Sequence, residues 1–264
     1  VRSDPADFVA RYGAWAAVAG ASEGLGAAFA EALAARGTNL LLLARRADVL
    51  GELARRIREA RGVEVQTLAI DLADPELPVA LAAASQGLEI GVAVYNAAFS
   101  PVGDFLEVPL PDLLRVIDVN IRAPVVFVRA LAPAMVARRR GAVVLMSSLA
   151  GLQGSPRIAT YAASKAFDVI LSEGLFGELR SQGVDVLASC AGAIRTPGYA
   201  ALSRRDAPGI LDPAEVAEQT LAALGKGPRV VPGRLNRLAS LLTGRLLPRK
   251  AAIRLMAANT RELV

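Results

Sequence analysis

A chain of 264 residues with 53% hydrophobic content and no linker-like or low-complexity stretch suits a single large α/β domain spanning 1–264. One cysteine, Cys190, excludes an intramolecular disulfide, and with no histidine the chain has no credible zinc site or His-based triad, so catalysis must draw on Tyr, Ser, Lys, Asp, Glu or a cofactor. The net charge of +5 is carried by arginines spread along helical patterns, and the basic runs at 138–140 and 204–205 are too short for a nucleic-acid tract.

The apolar runs are too short to span a bilayer and the start of the sequence lacks a signal-peptide pattern, which leads to the expectation of a cytoplasmic protein without an integral membrane segment. Residues 5–13 read as a short helix ending at Gly13. Residues 15–20 (WAAVAG) form a buried strand, followed by ASEGLG and an apolar helix over 27–36. In that turn Gly20, Gly24 and Gly26 let the backbone approach a ligand closely, and the helix start presents free N–H groups to a pyrophosphate. The spacing G-x-x-x-G-x-G differs from the G-x-G-x-x-G fingerprint, and a glycine-rich turn is also a common strand-to-helix joint.

A second strand at 38–43 ends in Ala44, Arg45 and Arg46. In a dinucleotide fold this strand end meets the adenosine ribose, where a carboxylate selects the 2′-hydroxyl and arginine accommodates a 2′-phosphate. Two guanidiniums in place of a carboxylate favour NADP over NAD, although Glu23 stands in the glycine loop where a base is common in NADP enzymes. As mere starters of the helix at 47–61 they would be poorly placed, because cations are unfavourable at a helix N-terminus.

A third strand at 63–70 leads to Asp71 and Leu72, where the carboxylate can face an adenine amino group or cap the next helix. A helical segment covers 75–86, a fourth strand 92–96, and a long amphipathic helix 112–137. Pro124 and Pro133 predict a kink or an early end in that helix, and Asn120 within VIDVNIRAP is a buried polar group that needs a partner.

A fifth strand at 142–147 opens a Gly/Ser/Pro loop and then a helix running to about 181, which carries Tyr161 and Lys165. Residues four apart share a helix face, so the Lys165 ammonium can favour the phenolate of Tyr161 and make it a proton donor and acceptor near neutral pH. Lys165 is one of only three lysines among 30 basic residues, which points to a need for a compact ammonium. Ser148, at the strand end, is placed to hold a substrate oxygen. A sixth strand follows at 184–189, then a stretch at 196–211 suited to a lid, a helix at 213–224 capped by Asp212, and a short strand at 229–231. In the tail, 233–264, Leu235, Leu238, Leu242 and Leu246 form one amphipathic stripe that requires an apolar partner in the lid, a second subunit or a membrane surface.

Taken together, Gly20-x-x-x-Gly24-x-Gly26, Asn96-Ala97, Asn120, Ser148 and Tyr161-x-x-x-Lys165 resemble the short-chain dehydrogenase/reductase family, over about residues 14–232. The resemblance implies a Rossmann-type, doubly wound, seven-stranded parallel sheet with helices on both faces. It implies Tyr161 as general acid/base, Lys165 lowering its pKa and binding the nicotinamide ribose, Ser148 orienting the carbonyl, and Asn120 holding a water of the proton relay. Cofactor contacts are implied from Gly20, Ser22, Glu23, Gly24, Leu25, Gly26, Arg45, Arg46, Asp71, Leu72, Asn96, Ala97, Ala98, Gly192, Ile194 and Thr196, as well as from Tyr161 and Lys165. Three departures are Ala19 for the usual Thr, Ala98 for Gly, and Ala191-Gly192 for Pro-Gly. They bear on the tie after strand one, the close approach beside strand four and the rigidity of the nicotinamide loop.

The segments around Tyr12-Gly13-Ala14-Trp15, Ala44-Arg45-Arg46 and Val231-Pro232-Gly233-Arg234-Leu235-Asn236-Arg237 look like the bacterial branch that includes NADPH-dependent 7β-hydroxysteroid dehydrogenases. The expected activity is reversible NADP-dependent oxidation of a secondary alcohol to a ketone, on a bulky apolar small molecule, by a homodimer or homotetramer. The rival reading is a dinucleotide-binding regulatory or scaffold protein without turnover, against which Ser148, Tyr161 and Lys165 stand intact.

Overall fold

Short runs of small, branched and leucine residues bounded by turn signals form seven strands: β1 (Trp15–Ala19), β2 (Asn39–Ala44), β3 (Val65–Ala69), β4 (Ile90–Tyr95), β5 (Gly141–Ser148), β6 (Val184–Ala191) and β7 (Arg229–Val230). The computed structural model describes residues 5–203 and 205–261; Arg204, from one of the basic runs, and the outermost tail residues lie outside that range. The helices are α1 (Pro5–Tyr12), α2 (Gly24–Ala34), α3 (Ala47–Arg61), α4 (Leu77–Ser85), α5 (Leu110–Ile117), α6 (Ala123–Ala137), α7 (Ala159–Leu179), α8 (Pro197–Leu202), α9 (Pro213–Leu221), α10 (Arg234–Leu241) and α11 (Arg249–Thr260).

All strand pairings are parallel, in the order β3-β2-β1-β4-β5-β6-β7. This is the doubly wound Rossmann-type sheet. Alternation along each strand feeds two cores: Ala16 and Val18 of β1 face α1, α2, α3 and α9, whereas Trp15, Ala17 and Ala19 face α4, α6 and α7. The order reverses between β1 and β4, which opens a crevice at their carboxyl ends.

The long helix expected over 112–137 starts at Leu110 and divides into α5 and α6 around a π-helical turn, Asp118–Arg122. The expected kink therefore takes the form of this turn, which places Pro124 in the first turn of α6, where its missing N–H costs little; Pro133 lies inside α6. The 28-residue run 110–137 is long and apolar enough to cross a membrane, yet half of its most apolar window is buried against the protein. It serves as a core helix.

The lid stretch is more ordered than its composition suggested. Residues 197–202 form α8, with Thr196 accepting a hydrogen bond from Tyr199 N at 3.1 Å as its N-cap. Ile194 bridges to Leu211, and Arg195 pairs with Asp206 and Asp212 at 2.7 and 2.6 Å, which fastens the segment at its base. The tail differs too. It contains α10, a π-helical turn (Leu242–Leu246) and α11, and its leucine stripe faces outward, with Leu235 66% and Leu246 72% exposed.

At the opposite edge of the molecule α1 is clamped to β6: Arg11 and Tyr12 both bind Asp185 at 3.0 Å, and burial with that carboxylate pushes the Tyr12 phenol well above its ordinary range. The clamp brings the Tyr12 carbonyl onto Gly91 of β4, where a Cβ would lie 1.8 Å from the carbonyl oxygen. Gly91→Ala should cost about 1–3 kcal/mol through this overpacking. A melting temperature unchanged from wild type would show that α1 is free to move away.

Candidate active site

The carboxyl ends of the central strands surround one cavity of about 540 Å³, within the range of small-molecule sites. Of the residues singled out in the sequence, all but Gly26, Arg46 and Asn120 line it.

The floor under β1 is made by glycines. Gly20 has φ +78°, and a Cβ there would meet Ala97 Cα at 2.7 Å; a Cβ on Gly26 would lie 1.9 Å from Gly20 O. Gly26 therefore acts by letting α2 start directly against the strand end. The N-cap residue of α2, Glu23, makes no capping hydrogen bond, so no side chain competes with a ligand for the first N–H groups. Although Ala19 lacks a hydroxyl, the loop is tied: Asn96 Nδ2 donates to Gly20 O at 3.1 Å, and Gly20 N to Leu43 O at 2.8 Å. This cradle fits a dinucleotide pyrophosphate.

Charged groups ring the β2 and β3 side. Arg45 lines the cavity, while Arg46 is exposed and pairs with Glu23 at 2.8 Å, with Ser22 Oγ 3.3 Å away. Asp71 is bound by Arg115 at 2.5 Å. Burial would raise its carboxyl, but the hydrogen bonds from Ala73 N and Arg115, with the charges of Arg115 and Arg45, hold it below the ordinary range. Arg115 came from a helix face whose sequence gave no sign of this role.

The reacting end lies where β5 meets α7. Ser148 Oγ accepts from Ala150 N at 3.1 Å and caps a 3₁₀ turn, which leaves its own hydrogen for a substrate oxygen. Tyr161 projects from the first turn of α7 into the same cavity. The Lys165 ammonium lies 5.8 Å from the Tyr161 ring centroid and donates to Met146 O at 2.7 Å and Asp168 Oδ2 at 3.0 Å. Asp168 was not recognised in the sequence, because an i,i+3 acid beside a lysine usually marks only a solvated helix face.

Asn120 sits in the π-helical turn, fully buried and outside the cavity lining. Its Oδ1 accepts from Phe99 N at 2.8 Å, and Nδ2 donates to Phe99 O and Ser164 Oγ, both at 3.0 Å. Both amide hydrogens are thus used in tying the loop after β4 to α7.

The last wall is formed by Gly192, Ile194 and Thr196 together with Pro197, Gly198, Tyr199 and Leu202 of α8. Thr196 Cγ2 would lie 3.0 Å from a Cβ on Gly24, so this wall closes onto the glycine loop. Behind Gly192 the buried Asn236 of α10 donates to Gly209 O and Pro232 O, each at 3.1 Å. A Cβ on Gly192 or Gly209 would lie 2.8 or 2.7 Å from Asn236 Oδ1. Where the family has Pro-Gly, packing from the tail supports this loop. Apolar side chains, among them Val102, Ile158 and Leu202, also line the cavity, and Val102, Tyr161 and Met256 of α11 pack against the cluster of Ala150, Ile158 and Ala162.

The family model for short chain dehydrogenases matches residues 14–207. A 7β-hydroxysteroid dehydrogenase from Collinsella aerofaciens is 33% identical over 236 residues, covering 86% of this chain and 89% of the relative. Among solved structures, one of a 7β-hydroxysteroid dehydrogenase studied for its stereoselectivity superposes with a TM-score of 0.88 at 30% identity, over 94% of this chain and 98% of the other. A short-chain dehydrogenase from Sphingobium yanoikuyae in complex with NADPH superposes at 0.74 with 32% identity, over 82% and 86% of the two chains.

Replacing Asn236 by Ala or by Asp removes both amide donors and leaves the Gly209 and Pro232 carbonyls without them, at a cost of about 1–3 kcal/mol. Both variants should melt lower than wild type and should be cleaved faster by protease within 196–211. Equal protease resistance would show that the lid base does not depend on α10.

Proposed function

Because this chain belongs to the short-chain dehydrogenase/reductase family and is an oxidoreductase acting on CH–OH groups, we propose that it interconverts a bulky, apolar secondary alcohol and its ketone with NADP as cofactor. The observation that carries this reading is the placement of Ser148, Tyr161 and Lys165 on one cavity with an uncapped, glycine-floored helix start.

When bound, the nicotinamide supplies or accepts the hydride. The α2 N–H groups would hold its pyrophosphate, Thr196 and Ile194 would contact the nicotinamide, and Lys165 would bind its ribose. In the reductive direction the Ser148 hydroxyl donates to the substrate oxygen, and Tyr161 gives that oxygen its proton as the carbonyl carbon gains hydride. The neighbouring ammonium of Lys165 stabilises the phenolate that is left. Asn120, whose side chain is used structurally, serves the proton path by fixing the π-helical turn and α7.

Preference for NADP is supported by Arg45 and Arg46 at the end of β2, by Ser22 facing Arg46 from the glycine loop, and by the absence of a carboxylate on β2 itself; a 2′-phosphate would replace Glu23 as partner of Arg46. Apolar lining around Val102, Ile158 and Leu202 supports a bulky ketone, in keeping with the steroid named for the Collinsella relative. The same reading places the enzyme in the cytoplasm, where the lone buried Cys190, its thiol pushed up to about 11 by burial, stays reduced. It also assigns the exposed Leu110, Leu114 and Ile117 of α5 to contact with a second copy of the chain.

The direct test is NADPH oxidation with a panel of steroid and aliphatic ketones. Tyr161→Phe should lower kcat by about 10²- to 10⁴-fold while NADPH binding stays close to wild type. Retention of more than half the wild-type rate would remove Tyr161 from the proton step. Loss of Arg45 or Arg46 should weaken NADPH binding by about tenfold or more and NADH binding far less, since each charge-assisted phosphate contact contributes about 1.5–3 kcal/mol. Equal affinities for NADPH and NADH in the wild type would overturn the cofactor assignment.

A further inference from the structure

The buried face of α7 holds an acid that the reaction scheme above leaves without a role. Asp168 is 1% exposed and Lys165 3%, and they pair in the interior at 3.0 Å, one helical turn apart. The carboxylate is only half accommodated: Oδ2 meets the ammonium, whereas Oδ1, like Ser172 Oγ one turn further on, has no hydrogen-bond partner among the described residues. Burying such a charge is unfavourable for folding, and an apolar residue on this face would pack at least as well. A position that keeps the acid beside a site lysine points to a role in the site.

Geometry gives that role. Lys165 Nζ is held from two sides, by Met146 O at the end of β5 and by Asp168 on its own helix, with the Tyr161 ring on the cavity side. The Ser147 hydroxyl donates to Lys165 O at 2.7 Å and fixes the backbone of the same turn. With a flexible four-carbon stem, an ammonium so buried would otherwise swing toward the cavity or lose its proton.

We propose that Asp168 is a positioning residue for Lys165, anchoring the ammonium on the cavity floor and keeping it charged, so that the pair sets the alkaline limit of ketone reduction. This rests on the function proposed above for Tyr161 and Lys165. Burial alone would strip the proton from Lys165, but the charge of Asp168, with a smaller contribution from Tyr161, holds its pKa above the ordinary lysine value. Burial holds the Asp168 carboxyl above the ordinary carboxylate range, and the ammonium offsets only part of that rise.

The other titratable groups coupled to Asp168 are Tyr95 on β4, which also faces Arg122 and Asp71, and Cys190 on β6, which also faces Arg229 and Glu173. Burial raises both of these groups, so neither carries charge near neutral pH. Removing the negative charge of Asp168 therefore acts on Lys165. Lys165 loses the partner that keeps it protonated and gives up its proton at lower pH.

Asp168→Asn keeps the shape and an acceptor for Nζ while deleting the charge. With only three lysines in the chain, ¹⁵N-lysine labelling allows the Lys165 ammonium to be followed directly by NMR, without turnover. In wild type the Lys165 signal should remain that of an ammonium to above the ordinary lysine pKa of about 10.4, and Asp168→Asn should lower its midpoint by about one unit or more. The alkaline limb of kcat for NADPH-dependent ketone reduction should move down with it, and Asp168→Glu should restore the limb.

A Lys165 midpoint in the wild-type protein below the ordinary value would overturn the proposal even if Asp168→Asn failed to fold. So would an Asp168→Asn variant that turns over with an unshifted midpoint and limb. If wild type reduces no ketone while the NMR shift appears, the activity reading fails and the anchoring of Lys165 by Asp168 stands.

Discussion

The close approach of three backbones at the end of β1 is the constraint on which the site depends. Gly20 turns the chain with φ +78° against Ala97, and Gly26 presses against the Gly20 carbonyl, leaving no volume for a Cβ at either position. Only with that contact can α2 begin at the strand end and aim its free N–H groups into the crevice between β1 and β4. Asn96 supplies the donor that the Ala19 side chain lacks, so the turn is tied from the neighbouring strand. One strand further along the sheet, β5 delivers Ser148 and α7 delivers Tyr161 and Lys165 to the same crevice. Cofactor cradle and reacting groups are thus registered to each other by the parallel strand order rather than by direct contact.

What could be read from the sequence follows from the range of the interactions. Strands of small and branched residues, helices with one apolar face, and the spacing of Gly20, Gly24, Gly26, Tyr161 and Lys165 are local patterns, and the structure places these elements within a few residues of where periodicity put them. The pairing of Asp71 with Arg115 and the insertion of Asn236 between Gly192 and Gly209 join distant segments and leave no local signature. Lys165 and Asp168 are close in sequence, but an i,i+3 pair reads the same whether solvated or buried. Asn120 was legible as a polar residue needing a partner; its solution, a π-helical turn bonded to Phe99 and Ser164, was not.

Two helices escaped the sequence for a related reason. Helix α8, with six residues, is too short to show a periodic face, and its clearest signals are the Thr196 cap and Pro197. Helix α11 begins with Arg249 and Lys250, an unfavourable choice beside the positive end of the helix dipole. Tertiary contacts compensate: Arg249 donates to Leu152 O at 2.9 Å, and Arg157 reaches from the loop before α7 to Thr260 O at 3.1 Å. Local preference opposes this helix, and packing against the reacting end of the site decides its formation.

That docking gives the tail an electrostatic consequence. The cofactor end of the cavity is ringed by half-exposed charged groups, Arg45, Asp71 and Glu23, whose fields water and salt weaken. At the substrate end Val102, Ile158 and Leu202 face the cavity, and Met256 of α11 thickens the wall behind Ile158 and Tyr161. On the function proposed above, an apolar wall there would lower the local dielectric and so strengthen both the pull of Lys165 on a Tyr161 phenolate and the hold of Asp168 on Lys165. On the same reading a charged substrate would find no compensating partner on this wall, whereas an apolar one would replace water at little cost. On the function proposed above, α11, whose Met256 packs behind this wall, would act in the same direction on catalysis and on selection of the substrate.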